Sequence, residues 1–227
     1  MNLLSMSTPE HTLAREAMVE QQVRPWDVLD ARVLEVLSRL PRDAFVADAY
    51  RTVAYADMEL PIGHGETMFK PVVEGRMLQA LALQPGDEVL EVGTGSGWIS
   101  ACLADLAQEV VSLELHAGLA EGARARLDAR GLGANVTIEV ADALEYRTER
   151  RFDAVCVTGA VDAIPERFVQ WLRPGGRLFV VRGHAPAMEA VLLHRGGEAV
   201  NAARIESLFE TDIPYLAGAA PVPQFRW

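Results

Sequence analysis

The chain has 227 residues, of which 50% are hydrophobic, and a formal net charge of −11 at pH 7. This length favours one core with a modest extension, and the acidic balance argues against a nucleic-acid partner, since such binding draws on Lys and Arg. No run approaches the roughly 20 apolar residues of a membrane-spanning helix, and residues 1–10 lack the features of a secretion signal, so we expect a cytoplasmic protein without a membrane partner.

The first eighty or so residues are predicted to be mainly helical. Apolar side chains at helical spacing predict helices over residues 14–23 and 30–40, and a third helix that begins at Pro71 and continues through Leu81. The segment 60–70, which contains two glycines, is predicted to be a loop. We assign residues 1–82 to a helical extension that includes this loop.

From Asp87 onward, short apolar runs alternate with helical segments. This rhythm is typical of a parallel sheet that is covered on both faces. Strands are predicted at residues 88–92, 110–114, 136–140, 154–158 and 177–181, with helices near 98–106, 117–130 and 165–172 and an edge hairpin near 188–194 and 204–212. With right-handed crossovers, the predicted fold is an α/β doubly wound, seven-stranded, mixed and mainly parallel sheet over residues 83–216, followed by a tail over 217–227.

The two cysteines lie in a predicted helix (Cys102) and in a predicted strand (Cys156). Buried thiols usually act as small apolar fillers. They indicate neither a disulfide nor a zinc site, and no metal is expected.

The stretch from Glu88 to Trp98 reads EVLEVGTGSGW, which predicts a strand, a glycine turn and a helix. Glycines let the backbone turn sharply and let a ligand approach closely. A dinucleotide fingerprint would need a glycine at position 98, and a phosphate-binding loop would need a Gly-Lys-Ser or Gly-Lys-Thr sequence. Neither is present. The spacing G-x-G-x-G, with Glu91 before it, instead resembles the first motif of class I S-adenosylmethionine-dependent methyltransferases, whose fold is Rossmann-like and whose cofactor carries cationic groups.

The resemblance implies that S-adenosylmethionine binds between this loop and the ends of the next strands. Glu114 would accept hydrogen bonds from the ribose hydroxyls, or be a solvated strand-end carboxylate. Asp142 would face the adenine amino group, or cap a helix. The expected cofactor-binding residues are Glu91, Val92, Gly93, Thr94, Gly95, Ser96, Gly97, Glu114, Leu115, Asp142, Ala143 and Thr158.

Segments outside this core narrow the family. Residues 60–71, LPIGHGETMFKP, closely resemble the loop before the core in the protein-L-isoaspartate O-methyltransferases, and residues 18–23, 40–46 and 49–57 resemble other segments of that family. The resemblance extends from about residue 18 to about residue 216. It implies a carboxyl methyltransferase that acts on L-isoaspartyl residues of damaged proteins, with such proteins or peptides as partners; it leaves the oligomeric state open.

One position departs from the family pattern. The family loop usually reads Thr-Ile-Ser-x-Pro, and its serine is credited with positioning the substrate carboxylate, but Phe69 stands here. A lost hydrogen bond to an ion costs about 1.5 to 3 kcal/mol. We therefore expect Thr67, Phe69 and His64 at the catalytic site, where Thr67 and His64 either compensate for the missing hydroxyl or hold the loop together. The alternatives are a relative with a different acceptor and a non-catalytic cofactor-binding protein.

Overall fold

The structure is a computed structural model that describes residues 9–197 and 203–222. It begins with helix α1 (Pro9–Ala17), which continues as a π-helix (Met18–Val23), and then α2 (Ala31–Arg39). The side chain of Asp30 caps α2 by accepting a hydrogen bond from the backbone N–H of Arg32 at 2.8 Å. Both helices predicted from apolar spacing are present, and their apolar faces are buried.

The segment 60–70 is not a loop, so that prediction was wrong. Strand β1 (Leu60–Gly63) pairs antiparallel with β2 (Glu66–Met68). The two glycines mark the turn of this hairpin, because Gly63, His64 and Gly65 have φ values of 99°, 56° and 84°. Strands of three and four residues are too short to show a reliable alternation of apolar and polar positions.

The main sheet has seven strands, and the predicted mixed, mainly parallel, doubly wound sheet is confirmed. The strands are β3 (Glu88–Val92), β4 (Glu109–Glu114), β5 (Val136–Val140), β6 (Phe152–Val161), β7 (Leu172–His184), β8 (Ala187–Arg195) and β9 (Ala203–Thr211). Their spatial order is β5-β4-β3-β6-β7-β8-β9, with parallel pairing from β5 to β7 and antiparallel pairing beyond. Both β6 and β7 are longer than predicted, and β7 begins at Leu172, where the helix prediction still continued.

Four helices connect these elements: α3 (Pro71–Leu81), α4 (Trp98–Leu106), α5 (Ala117–Asp128) and α6 (Glu166–Gln170). Side chains alternate along β3, so that Val89 joins one buried apolar cluster and Leu90 joins another. The sheet is therefore covered on both faces, as its continuous apolar strands predict.

The carboxyl ends of β3, β4, β5 and β6 meet at one edge of the sheet, because these strands are parallel. The chain runs outward from β3 to β5 and then returns to β6, which makes the crevice between β3 and β6 the place where ligands of such sheets bind. After β9, the chain passes beside the end of β6. There Ala160 accepts a hydrogen bond from Leu216 N at 2.8 Å and donates one to Pro214 O at 2.8 Å.

No helix within residues 9–197 and 203–222 is both long and apolar enough to cross a membrane. In the same part of the chain, no group of three His, Cys, Asp or Glu side chains is placed to hold a metal ion. Cys102 and Cys156 are both buried, and neither forms a disulfide.

Candidate active site

A pocket opens at the carboxyl edge of β3 to β6, between the glycine loop and the β1–β2 hairpin. Its empty volume is about 880 Å³, including the part open to solvent. Most of the predicted site residues line it, namely Thr67, Phe69, Val92, Gly93, Thr94, Gly95, Ser96, Glu114, Leu115, Asp142, Ala143 and Thr158. His64, Glu91 and Gly97 are not part of this lining.

The glycine loop presents bare backbone to the pocket. A Cβ atom on Gly93 would lie 2.3 Å from Thr158 Oγ1, and one on Gly95 would lie 2.9 Å from Ile62 Cδ1 of the hairpin. Both residues also have positive φ values, 95° and 53°, which side chains disfavour. The hydroxyl of Thr158 lies 2.9 Å from the carbonyl oxygen of Val92 and 2.7 Å from that of Gly93, so it holds the start of the loop.

The carboxylate of Glu114 is oriented by two backbone N–H groups. Its Oε2 accepts a hydrogen bond from Gly95 at 2.8 Å, and its Oε1 accepts one from His116 at 2.9 Å. Each carboxylate oxygen keeps a further lone pair, which suits the hydroxyls of a ribose. Asp142 lines the pocket, and its Oδ1 accepts a hydrogen bond from Leu144 N at 2.8 Å. The residues after it form a turn and not a helix, so the alternative of a helix cap was wrong.

Glu91 is fully buried beside the glycine loop, and it is linked to the loop through the side chain of Ser112. Ser100 and Ser112 each donate a hydrogen bond of 2.5 Å to its Oε2, and Ser112 also contacts the hydroxyl of Thr94. Burial raises the pKa of Glu91 to about 8. Its Oε1 has no hydrogen-bond partner among the described residues. A fully buried acid with one unpartnered oxygen, next to a bare glycine loop, fits a cofactor that carries positive charge, because a nearby cation would favour the ionised form of the acid.

A buried ion pair, which the sequence did not reveal, anchors the base of the hairpin. Arg42 and Glu74 are 0% and 1% exposed, and their guanidinium and carboxylate groups are joined by hydrogen bonds of 3.1 and 2.9 Å. Arg42 also donates to the carbonyl oxygens of Ala54 and, at 2.6 Å, of Phe69. Trp98 Nε1 donates to Glu74 at 2.8 Å. The available signal was Glu74 itself, an acid that follows the apolar residues Val72 and Val73 in α3.

The hairpin supplies the wall opposite the glycine loop. Phe69 is 4% exposed and packs into the core while it lines the pocket. The hydroxyl of Thr67 has one long contact of 3.5 Å, to Glu59. His64 is exposed, and its ring stacks on the ring of His116.

Several lining residues were not predicted. Most of them lie beside predicted ones in the sequence, as Met68 and Leu113 do, whereas Glu74 comes from α3 and Leu216 from the segment after β9. The lining residues that were not predicted are Ile62, Glu66, Met68, Glu74, Trp98, Ile99, Leu113, His116, Leu119, Ala141, Leu144, Leu216 and Ala217. The lining carries four carboxylates, on Glu66, Glu74, Glu114 and Asp142, and no Lys or Arg of the described residues. Burial, and secondarily the charge of Glu114, raises the pKa of Glu66, while the nearby histidines oppose this shift.

The doubly wound sheet, the G-x-G-x-G loop and the acids on the next two strands define a class I S-adenosylmethionine-dependent methyltransferase. Within this class, the family model described as protein-L-isoaspartate(D-aspartate) O-methyltransferase (PCMT) matches residues 13–209. The chain belongs to the protein-L-isoaspartate(D-aspartate) O-methyltransferase family.

Individual relatives cover most of the chain. A protein-L-isoaspartate O-methyltransferase of Methylorubrum extorquens is 42% identical over 194 residues, 85% of this chain and 84% of the relative. One of Methanoculleus marisnigri is 38% identical over 218 residues, 94% and 93% of the two chains. The fold is similar to that of a Plasmodium falciparum structure described as a PCMT in complex with S-adenosyl-L-homocysteine, with a TM-score of 0.74, 19% identity, and coverage of 91% and 97%.

Proposed function

We propose that this enzyme transfers the methyl group of S-adenosylmethionine to the free α-carboxylate of L-isoaspartyl residues in damaged proteins. The observation that supports the proposal is the pocket, in which the glycine loop and Glu114 face the β1–β2 hairpin. The chain that forms this pocket belongs to the family named above. The resulting ester would close to a succinimide, which can reopen as normal aspartate.

When bound, S-adenosylmethionine supplies an electrophilic methyl group on a sulfonium. In the proposed site the bare backbone around Gly95 holds the amino-acid portion, Glu114 binds the ribose hydroxyls and Asp142 faces the adenine. Glu91 would support the loop through Ser112, and a bound cation would favour the ionised form of its carboxyl group.

An isoaspartyl carboxylate is ionised near pH 7, because its reference pKa is about 4. The protein therefore needs no general base, and its task is to exclude water and to align the carboxylate with the methyl group. Phe69 offers no hydroxyl for this alignment. We propose that the hydroxyl of Thr67 aligns the carboxylate instead. This side chain lines the pocket, and its one long contact, to Glu59, is weak enough to be exchanged for a contact with substrate.

The decisive test is incubation of the purified chain with labelled S-adenosylmethionine and an isoaspartyl peptide. We expect base-labile methyl ester on this peptide and none on the matched peptide with normal aspartate. Equal labelling of both peptides, or none above the peptide-free control, would refute the isoaspartyl assignment.

A second candidate is a methyltransferase of this fold with a different acceptor. The observations that favour it are Phe69 in place of the family serine and a described lining that carries carboxylates but no Lys or Arg to attract an anionic acceptor. Calorimetry with S-adenosyl-L-homocysteine separates it from loss of function, since this product should bind whichever acceptor is used. Binding without turnover of any acceptor would instead favour a non-catalytic cofactor-binding protein.

We also propose the division into a helical extension (1–82), a cofactor-binding core (83–216) and a tail (217–227). Leu216 and Ala217 both line the pocket, so the start of the tail would contribute to the site, whereas residues 223–227 lie outside the described residues. The cytoplasmic location stays a prediction.

A further inference from the structure

Two histidine rings meet at the rim of the pocket. His64 occupies the turn of the β1–β2 hairpin, and His116, which lines the pocket, directly precedes α5. Their ring centroids are 4.0 Å apart, and the ring planes differ by 10°. This is a close parallel stack between two elements that lie about fifty positions apart in the sequence.

His116 connects the ring stack to the proposed cofactor site. The backbone N–H of His116 donates to Glu114 Oε1 at 2.9 Å, and Gly95 N donates to Oε2 of the same carboxylate at 2.8 Å. The hairpin also packs on Gly95 directly, because a Cβ placed there would lie 2.9 Å from Ile62 Cδ1. The hairpin thus contacts the glycine loop and also His116, the residue whose backbone N–H orients the proposed ribose-binding acid.

The hairpin is fixed at its base and exposed at its tip. At the base, Leu60 and Met68 are 0% and 6% exposed, and Arg42 holds the carbonyl of Phe69. At the tip, His64 is exposed and has a φ of 56°, a conformation that few residues other than glycine adopt. The turn therefore contacts the opposite rim of the pocket, where His116 lies, through the ring of His64.

We propose that His64 and His116 form a clasp that holds the hairpin closed over the bound cofactor, so that cofactor release requires the two rings to part. The inference rests on the proposed cofactor site and gives both histidines a positioning role. It replaces the catalytic role predicted for His64 from the sequence. An aromatic pair of this kind corresponds to about a 2- to 12-fold change in a rate or equilibrium.

The test is a double-mutant cycle on the dissociation rate of S-adenosyl-L-homocysteine from the full chain, measured by stopped-flow displacement. The variants are His64→Asn, which tolerates the positive φ, His116→Ala and their combination. Each single variant should accelerate release about 2- to 12-fold, and the double variant no more than the faster single one. His116→Phe, which keeps a ring opposite His64 at a residue whose φ is −97°, should leave the release rate near that of the parent.

Two controls separate a clasp from general loosening. The unfolding free energy of the ligand-free variants should stay close to that of the parent, because the tip is exposed. His184→Ala removes an exposed histidine that pairs with Asp162 away from this pocket and should leave the release rate unchanged. If the parent binds no S-adenosyl-L-homocysteine, the proposed function fails and the clasp fails with it. If the parent binds it but the single effects multiply or are absent, the clasp alone is refuted.

Discussion

At the scale of single residues, Glu91 shows how the glycine loop depends on a buried acid. Two serine hydroxyls donate to one of its oxygens, while the other oxygen has no partner in the described part of the chain. Because water is excluded, the ionised form is disfavoured, and the pKa rises from 4.5 to about 8. The charge state of Glu91 should therefore couple the stability of the free enzyme to pH.

We predict that Glu91→Gln flattens this dependence. Between pH 4.5 and about 8, the unfolded chain is ionised at Glu91 while the native protein keeps the proton. Stability thus falls as pH rises through this window, by up to about 1.4 kcal/mol per pH unit from this one group. The contribution of Glu91 is fully present below pH 4.5 and lost as pH approaches 8. Urea unfolding at several pH values should show a shallower slope for Glu91→Gln, and an unchanged slope for the exposed control Glu210→Gln. Parallel curves for parent and Glu91→Gln would contradict the burial argument.

A second prediction at this scale concerns Phe69. In a Thr67→Val background, which lacks the hydroxyl proposed to align the substrate carboxylate, Phe69→Ser should raise kcat/KM toward an isoaspartyl peptide by about 10- to 100-fold, the equivalent of one hydrogen bond to an ion. Because Phe69 is buried, the change should also lower the unfolding free energy by about 3 to 5 kcal/mol. Phe69→Ala opens a similar space without the hydroxyl. If the alanine variant gains as much activity as the serine variant, the gain comes from space and the hydrogen-bond argument is wrong.

At the scale of elements, the strands of the sheet were predictable, because most carry a short apolar run bounded by polar residues, as AVCV in β6 and LFVV in β7. The meeting of the proposed cofactor-binding residues was predictable for a related reason: Gly93 to Gly97, Glu114 and Asp142 lie at the ends of parallel strands, which must meet at one edge of the sheet. The hairpin was not predictable. Its two strands are short, and its position depends on Arg42 and Glu74, which are brought together by folding across 32 positions of sequence.

The anchor of the hairpin leads to a prediction about stability. Arg42→Met should lower the unfolding free energy by about 3 to 5 kcal/mol, because it leaves the carboxylate of Glu74 buried without a counter-charge. Adding Glu74→Gln should recover part of this loss, since the amide is neutral and its oxygen can still accept from Trp98. Urea denaturation of both single variants and of the double variant measures the coupling. Strictly additive losses would mean that the two side chains do not act as a pair.

At the scale of the whole molecule, the pocket joins parts of the chain from Ile62 to Ala217. No short segment contains it, so it exists only in the folded protein. Motif spacing could predict which strands contribute, but not that Glu66, His116 and Leu216 would complete the wall, because those contacts depend on how the hairpin and the segment after β9 pack. A ligand that needs all these parts binds the native state alone, and its binding energy becomes folding stability.

We therefore predict that S-adenosyl-L-homocysteine at 100 times its Kd raises the unfolding free energy of the parent by about 2.7 kcal/mol. Glu114→Ala removes a charged hydrogen-bond partner of the proposed ribose site and should weaken binding about 10- to 100-fold. At the same ligand concentration, its stabilisation should then fall to between about 1.4 and 0.4 kcal/mol. Urea unfolding with and without ligand measures both values. Glu121→Ala, which removes an exposed acid from α5, should keep the full response. A Glu114→Ala variant that is stabilised as strongly as the parent would show that this carboxylate does not hold the ligand.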